Sequence, residues 1–351
     1  MVRFALATLA PALMLALAVL AGGMWGALAL LWMTVLTFAL DRISGQSAPA
    51  GGGHGRWLTV TLGLVHLALW PLAVWGIGGP SGLSALERGV AFFGFGVFFG
   101  QVSNSVAHEL IHAAARPLRR LGATIYVSLL FGHHVSAHRL VHHVHVATAR
   151  DPNSAPFGMS YWAFLPRAWW GSFREGWRAE EAMRARRTGP RGLHPYAVWL
   201  AGGAAAAALA ALIAGPGGLA ALAGLAAYAQ AQLLLSDYVQ HYGLRRRAGA
   251  DGRAEPAGPQ HAWNAPHRQS AAMMLNAPRH SDHHAHPGRP WPELALDAGM
   301  PVLPQSLPVM ATIALWPPAW RALMDRRVAR VMGRAPRGGD APGRRSAAET
   351  A

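Results

Sequence analysis

The sequence predicts an all-α, polytopic membrane protein with six transmembrane helices and a histidine-rich cap on the cytoplasmic side. Of its 351 residues, 52% are hydrophobic and 13% are charged, whereas average soluble domains carry about 25% charged residues. Six apolar stretches reach or approach the roughly 20 residues that a helix needs to cross a bilayer. The alternating pattern of a membrane β-barrel is absent, which leaves helices as the spanning elements.

The six predicted spans cover residues 4–20, 25–40, 57–78, 90–112, 197–214 and 219–241. The first begins after Met1-Val2-Arg3 and is similar to a signal peptide, but a Gly-Gly break leads directly into the second span. We therefore expect an uncleaved hairpin of two helices, with cleavage as the alternative.

The remaining segments predict a single domain over residues 1–333. Residues 121–131 are apolar but only about half a span long, which favours an interfacial or re-entrant helix. Residues 162–191 mix tryptophan with arginine, as interfacial amphipathic helices do. The tail, residues 334–351, is rich in Gly, Pro, Arg and Ser, and we expect it to be disordered.

Arginine supplies all 31 basic residues, and its placement predicts the orientation. With the N-terminus inside, the outer connections carry one basic residue, Arg88, and the inner segments carry nearly all the others. Both termini and every histidine cluster then lie on the cytoplasmic side of a bacterial-type inner membrane. The net charge of +15 is compatible with nucleic acid binding. However, the arginines stand beside apolar segments, so we expect contact with membrane lipids and no nucleic acid partner.

Nine histidines stand in four short clusters beside predicted spans. The clusters are His108-Glu109-Leu110-Ile111-His112, His138-Arg139-Leu140-Val141-His142-His143, His241 alone, and His280-Ser281-Asp282-His283-His284. Residues four apart share one face of a helix, so we expect His108 to converge with His112. We expect His138 to converge with His142 in the same way, and His143 to turn towards a second position.

This histidine set predicts two metal ions, because one ion seldom needs more than four imidazoles. Imidazole suits Zn, Cu, Fe or Ni, and the absence of cysteine excludes thiolate zinc sites and Fe–S clusters. Redox-capable iron with open coordination positions beside an apolar interior would favour dioxygen activation and C–H chemistry on a lipid-like substrate. Spacing alone leaves both iron and copper open.

Two other interpretations of the histidines were weighed. In a zinc metalloprotease, His108 and His112 would bind the metal and Glu109 would act as general base. An intramembrane protease of this kind leaves the other seven histidines unexplained. Solvated histidines on loops are the second alternative, and the tight HxxxHH and HxxHH groupings argue against it.

The motifs HELIH, HRLVHH, HYGL and RHSDHHAHP resemble those of the membrane-bound non-haem di-iron alkane 1-monooxygenases, within the fatty acid desaturase and hydroxylase superfamily. The resemblance covers roughly residues 100–330. HYGL and RHSDHH distinguish this branch from the acyl desaturases. The chain has Ala137, Gln240 and Ala113 where the family usually has Glu, Glu and a basic residue, which suggests a distant branch.

The resemblance implies a cofactor of two iron ions and O₂ as co-substrate. The implied reaction hydroxylates the terminal methyl of a medium- or long-chain alkane to a primary alcohol. The implied iron ligands are His108, His112, His138, His142, His143, His241, His280, His283 and His284. Hydroxylation of an aromatic methyl group, as in xylene, or acyl-lipid desaturation remain alternative reactions.

Further roles are expected around this set. Metal-bound imidazoles donate their second N–H to a carboxylate or carbonyl, and the candidate carboxylates are Glu109, Asp151, Asp237 and Asp282. The candidate lining of the substrate channel is Trp32, Met33, Trp70, Phe92, Phe95 and Phe99. The resemblance places a residue that limits chain length near Trp32 or Met33.

The electron donor is expected to be a separate protein, since a sequence without cysteine contains no rubredoxin or ferredoxin domain. The resemblance implies rubredoxin or a ferredoxin, with its reductase. Such carriers are acidic, and a basic docking face is offered by Arg167, Arg174, Arg178, Arg245, Arg246 and Arg247. These arginines serve equally well as topology and lipid anchors.

Overall fold

The protein is helical throughout the part that the structure, a computed structural model, describes: residues 1–46, 55–190, 192–250 and 252–333. Three isolated β-bridges are the only extended pairings among these residues. Five of the helices are long and apolar enough to cross a membrane, so the prediction of an all-α, multi-pass membrane protein is confirmed. The tail predicted to be disordered lies outside the described residues.

Four apolar helices precede the first histidine cluster or carry it: α1 (Val2–Leu20), α2 (Trp25–Ser44), α3 (Arg56–Gly78) and α4 (Ala85–His112). Helix α4 begins five residues before its predicted start because Ser84 and Glu87 form a capping box. The Ser84 hydroxyl accepts from the Glu87 N–H at 3.3 Å, and the Glu87 carboxylate accepts from the Ser84 N–H at 2.8 Å. A π-helical turn interrupts α2 at Trp32–Leu36 and α4 at Phe98–Ser103.

Three helices follow on the side of the histidines. Helix α5 (Arg116–Ser128) is the predicted half-span, and it packs on α4 so closely that a Cβ on Gly122 would lie 2.9 Å from the Ala107 carbonyl oxygen. Helix α6 spans residues 134–145 and contains a π-helical segment, His138–His142. Helix α7 (Tyr161–Ala185) is the predicted amphipathic segment, and several of its tryptophans are exposed.

Helix α8 (Pro195–His241) has 47 residues, which would make a straight helix about 70 Å long, more than twice the apolar core of a bilayer. Its backbone leaves the helical region at Ala214 and at Gly215, where φ is +57°. That conformation favours glycine. A Cβ on Gly218 would lie 2.1 Å from the Ala210 carbonyl oxygen, although eight residues advance a straight helix by about 12 Å. The chain therefore reverses at Gly215.

The two arms of α8, residues 195–213 and 216–241, lie against the same segment of the chain. Gly132 packs against Trp199 of the first arm, and Gln230 of the second arm donates to the Leu129 carbonyl at 2.8 Å. The two arms correspond to the fifth and sixth predicted spans. The two helices join without a loop, so length and composition identify them as one candidate span, Pro195–His241.

Four short helices complete the cap: α9 (Arg268–Met273), α10 (His280–Ala285), α11 (Leu307–Ala314) and α12 (Pro317–Val331). The cap is fixed to the N-terminal helices. The Asp41 carboxylate at the end of α2 accepts from the N–H groups of Gln269 and Ser270, at 2.6 and 3.1 Å, at the start of α9. The Phe4 ring of α1 contacts the Trp291 ring at 4.5 Å between centroids. These contacts hold the segments that flank α10 against the bundle.

Candidate metal centre

The structure brings all nine clustered histidines together in two adjacent groups. The first, the five-histidine group, contains His108, His112, His138, His143 and His283. The second, the four-histidine group, contains His142, His241, His280 and His284. Within each group, one nitrogen from every imidazole lies within 4.8 Å of the others. The nine residues come from α4, α6, α8 and α10, four elements far apart in the sequence.

The histidines of helix α4 and of the second arm of α8 lie side by side. The two helices run in the same direction, since contacts recur every four residues along both: Phe92 with Gly224, Gly96 with Tyr228, and Gly100 with Gln232. The C-terminal ends of both helices therefore lie side by side. His108 and His112 end one helix, and His241 ends the other.

The π-helical segment of α6 changes the expected pairing of its histidines. In an α-helix His138 would share a face with His142, but a π-helix bonds residues five apart. His138 therefore pairs with His143, and their Nε2 atoms lie 3.0 Å apart in the five-histidine group. His142 turns into the four-histidine group. The rings of His138 and His142 still stack at 5.2 Å between centroids, but the extra residue in the turn places their nitrogens in different groups.

Helix α10 also contributes to both groups. His280 and His284 lie four residues apart on one face, with Nε2 atoms 3.1 Å apart, in the four-histidine group. His283 faces the other way, and its Nε2 lies 3.2 Å from that of His143. The rings of His143 and His284 are 4.7 Å apart between centroids. The two groups are therefore direct neighbours.

The spacing of the facing nitrogens fits metal ligation. Five pairs of Nε2 atoms lie 3.0–3.2 Å apart. Metal–imidazole bonds of about 2.1 Å place adjacent ligand nitrogens about 3.0 Å apart at right angles and about 3.4 Å apart in a tetrahedron. Two neutral imidazoles can share one proton, but His138, His143 and His280 each face two other imidazoles. A cation satisfies such a set better than protons do.

The imidazoles are also desolvated and poorly supplied with hydrogen bonds. Buried ring nitrogens without a hydrogen-bond partner occur on seven of the nine: His108 and His142 at Nε2, and His138, His143, His241, His280 and His284 at Nδ1. Burial, and then repulsion between imidazoles, holds the pKa of His138, His280 and His283 well below the ordinary value. Neutral imidazole is the form that binds metal, so the donor set fits two cations such as iron.

One of the four candidate carboxylates bonds a clustered imidazole in the described part of the chain. Asp151 Oδ2 lies 2.9 Å from His142 Nδ1, which leaves His142 Nε2 for the four-histidine group. Burial alone would raise the pKa of Asp151, but His142 and the Ser154 hydroxyl outweigh it and lower that pKa. This is the carboxylate–imidazole arrangement found around many metal ligands.

The other three candidates have different partners. Glu109 accepts from the Trp291 N–H at 3.4 Å, and Asp237 accepts from the Asn153 amide at 2.6 Å. Asp282 accepts from Arg289, from His286 and from the Ala295 N–H, at 2.6–2.9 Å. Asp282 therefore holds the loop after α10.

A cavity of about 110 Å³, here called the bundle cavity, borders both histidine groups. Imidazoles of both groups line it, namely His108, His138 and His280. The rest of its wall comes from the bundle and the cap: Gly100, Gln101, Asn104, Ser105, Tyr126, His134, Gln232, Leu233, Leu235, Ser236, Asp237, Gln240, Met274, Ala277, Leu307, Pro308 and Ala311.

Several polar residues of this wall bond to neighbours within the protein. Asn104 donates to the carbonyls of Gly100 and Ala229, both at 3.0 Å. The Ser236 hydroxyl donates to the Gln240 amide oxygen at 2.8 Å. Such groups have their hydrogen-bonding demand met, so they do not require water in the cavity.

Apart from His108, His138, His280 and Asp237, the wall residues were not predicted, although the sequence carries a signal for them. Polar residues recur at helical spacing within apolar spans: Gln101, Asn104, Ser105 and His108 on α4, and Gln232, Ser236 and Gln240 on α8. Polar side chains inside a membrane segment are costly and mark functional sites. The predicted lining of bulky apolar residues does not include them.

The six residues predicted to line a substrate channel lie outside the wall of the bundle cavity. Phe95 and Phe99 are fully buried, and Phe99 packs edge-on against His66 at 4.8 Å. Trp70 donates to the Ser128 carbonyl, and Phe92 stacks on Tyr228. Met33 is buried and Trp32 is partly buried in α2. Their role as channel lining stays a prediction.

A second cavity of about 620 Å³, here called the rim cavity, borders the five-histidine group at His112. Glu109 also lines it, together with Arg56, Arg289 and Trp291. The two cavities have no lining residue in common. They therefore border the histidine groups through different residues.

Comparison with known proteins agrees with this site. The fatty acid desaturase family model matches residues 84–313, which include all nine histidines. Alkane 1-monooxygenase 1 of Pseudomonas aeruginosa is 33% identical over 282 residues, covering 79% of this chain and 73% of that protein. The alkane 1-monooxygenase of Ectopseudomonas oleovorans is 32% identical, covering 78% and 68%. Alkane 1-monooxygenase 2 of P. aeruginosa is 34% identical, covering 66% and 62%.

These similarities confirm the resemblance seen in the histidine motifs. They also confirm the prediction that the chain is an enzyme, and the relatives carry the name of one reaction. The chain belongs to the fatty acid desaturase family and, within it, to the alkane 1-monooxygenases.

Proposed function

We propose that the protein hydroxylates the terminal methyl group of medium- or long-chain alkanes, using O₂ and two electrons, to give the primary alcohol. The observation that carries this proposal is the bundle cavity, whose wall contains imidazoles from both histidine groups. A hydrocarbon held there lies against the place where two metal ions would bind. The names of the relatives support the same reaction.

The nine clustered histidines would hold two irons, five imidazoles around one and four around the other. Bound there, the irons would supply O₂ binding and reductive activation for insertion of one oxygen atom into a C–H bond. The overall balance is one alkane, one O₂, two electrons and two protons, giving one alcohol and one water. Asp151 keeps the His142 ring oriented through its Nδ1.

The protein's own contribution is to hold the substrate and keep water away. An alkane has no polar group, so its position depends on the shape of the cavity. Leu233, Leu235, Met274 and Leu307 supply apolar contact. The Ser236 hydroxyl is bonded to the Gln240 amide oxygen, so its proton is not turned towards the substrate.

We propose a separate electron carrier, rubredoxin or a ferredoxin with its reductase. A cytoplasmic basic surface supports this choice. Arg174 and Arg178 pair with Glu175 on α7, at 3.9 and 2.7 Å, and Arg246 donates to the Val144 carbonyl in the last turn of α6. Arginine placement also supports an inner-membrane site whose histidine end faces the cytoplasm.

The direct test measures iron and product together. Purified protein should contain two irons per chain and convert octane to 1-octanol with a reduced carrier and O₂. An alkene product would instead favour a desaturase, and benzylic alcohol from xylene, without alkanol, would favour the aromatic methyl hydroxylase. One zinc per chain with peptide cleavage would favour the protease, for which Glu109 would have to leave Trp291.

A further inference from the structure

We propose that Gln232 closes the membrane end of the bundle cavity and thereby limits the length of hydrocarbon that the site accepts. The inference rests on the function proposed above, because it assigns a size limit to the substrate of that site. It concerns a residue outside the histidine groups and outside the predicted channel lining.

Gln232 fills a gap between α4 and the second arm of α8. Its Nε2 donates to the Gly96 carbonyl at 2.8 Å. A Cβ on Gly100 would lie 2.2 Å from the same Nε2, so the amide occupies the space that the missing Gly100 side chain leaves. The hydrogen bond compensates the cost of an amide in an apolar span. Gln232 is therefore fixed in place.

The two helices meet directly on the far side of Gln232. One turn further from the histidines, the Tyr228 ring fills the corresponding gap, 2.2 Å from where a Gly96 Cβ would stand. The wall of the bundle cavity agrees with this closure. On α4 it begins at Gly100, and on α8 it begins at Gln232, with no described residue of either helix further from the histidines.

The depth of the cavity gives the length limit. Gly100 stands eight residues before His108, and Gln232 stands eight residues before Gln240, and all four residues line the cavity. Eight helical residues advance about 12 Å. An extended carbon chain, with bonds of about 1.5 Å and angles near 111°, advances about 1.25 Å per carbon. The cavity therefore accommodates about ten carbons in an extended chain. This depth indicates a medium-chain alkane whose far end rests on the Gln232 amide.

The experiment compares product formation from n-alkanes between hexane and hexadecane. In Gln232→Ala the lost side-chain atoms leave room for about three methylene groups. We expect the longest accepted alkane to gain about three carbons and the ratio of dodecane to octane turnover to rise at least about tenfold. Stabilisation of the iron-free protein by dodecane relative to octane should rise in parallel.

Two controls separate the closing role from a general packing defect. Gln232→Leu keeps similar bulk without the hydrogen bond, and its chain-length profile should match the wild type. Tyr228→Leu loosens the neighbouring gap, which lies outside the cavity wall, and should also leave the profile unchanged. Iron content shows whether each variant keeps its site.

Some outcomes would overturn the inference and leave the proposed function intact. One is that Gln232→Ala forms 1-alkanols with the same chain-length profile as the wild type. The other is that the wild type turns over hexadecane as fast as it turns over octane. If Gln232→Ala is recovered without iron, stabilisation of the iron-free protein decides, and an unchanged preference between dodecane and octane would overturn the inference. Absence of alkanol from every alkane in the iron-loaded wild type would instead overturn the proposed function itself.

Discussion

The Nδ1 atom of His142 lies 2.9 Å from Asp151 Oδ2, and neither side chain has more than 3% of its surface exposed. Asp151 is fixed in turn by the Ser154 hydroxyl at 2.6 Å and the Asn153 N–H at 3.0 Å. The loop after α6 thus orients an imidazole of the four-histidine group. Ion pairing with Asp151 outweighs the effect of burial and raises the pKa of His142.

We expect Asp151→Asn to weaken iron binding at the four-histidine group by about 10- to 100-fold. The amide lacks the negative charge that makes His142 a better donor. Iron per chain, measured over a titration with a chelator, checks this. Asp297→Asn removes an exposed carboxylate and serves as the control. Equal chelator resistance in the wild type and Asp151→Asn would contradict the assignment.

Single histidine replacements should affect the two groups unequally. His284→Ala leaves three imidazoles in the four-histidine group, so we expect iron to fall from two per chain to about one, with loss of hydroxylation. His112→Ala leaves four imidazoles in its group and should retain more iron. His286→Ala is the matched control, because His286 follows the cluster but bonds Asp282 instead. Loss of both irons from His286→Ala would show that iron binding depends on the structure of the loop after α10 and would contradict the assignment of His284 as a ligand.

The stability of the protein should fall in mild acid, partly because of His133. Burial between Trp169 and Phe173 lowers the pKa of His133 to about 4, from 6.5. The unfolded chain then binds a proton that the folded chain refuses, so stability is present above pH 6.5 and is lost as pH falls towards 4. The loss between pH 7 and pH 5 amounts to about 2 kcal/mol.

The variant His133→Phe tests that contribution. It keeps the aromatic contacts but removes the titrating group, so its stability should depend less on pH over that range. Thermal unfolding of both proteins at pH 7 and pH 5 measures the difference. Identical pH dependence in the two proteins would mean that other groups carry the acid sensitivity.

His66 lies within a membrane span and was not assigned a role from the sequence. Its side chain is fully buried, with ring nitrogens 2.9 Å from the Ser103 hydroxyl and 2.8 Å from the Ser128 hydroxyl. His66→Phe leaves Ser103 without this partner, and we expect it to destabilise the protein by about 1–3 kcal/mol. His66→Gln can keep one of the bonds and should cost less. Thermal unfolding distinguishes the two, and equal midpoints for His66→Phe and the wild type would contradict the prediction.

The sequence predicted the parts of the fold and site that depend on composition and spacing. Apolar length located the five helices of the described residues that are long enough to cross a membrane, because crossing a bilayer requires a minimum number of residues. The last of these contains both the fifth and the sixth predicted spans. Histidine spacing selected the nine residues that the structure brings together. Pro and Gly at 215–218 marked the break between the last two spans, although the structure turns there without a loop.

The parts that failed depend on single-residue geometry. The π-helical segment His138–His142 exchanges the partners of two histidines, and one extra residue in a turn leaves no compositional trace. The cavity wall depends on which sides of α4 and α8 face each other, which the glycines at 96 and 100 decide through close contact. Of the aromatic residues predicted to line a channel, Phe99 packs against His66, and the role of the set as channel lining stays a prediction.

The arrangement of the two cavities bears on how reactants reach the histidine groups. The bundle cavity borders the histidine groups at His108, His138 and His280, the rim cavity borders them at His112, and the two share no lining residue. Under the proposed function, the hydrocarbon and the second reactant would therefore have separate routes to the metal centre. His112, at the edge of the rim cavity, is the imidazole through which such a second entrance reaches the centre.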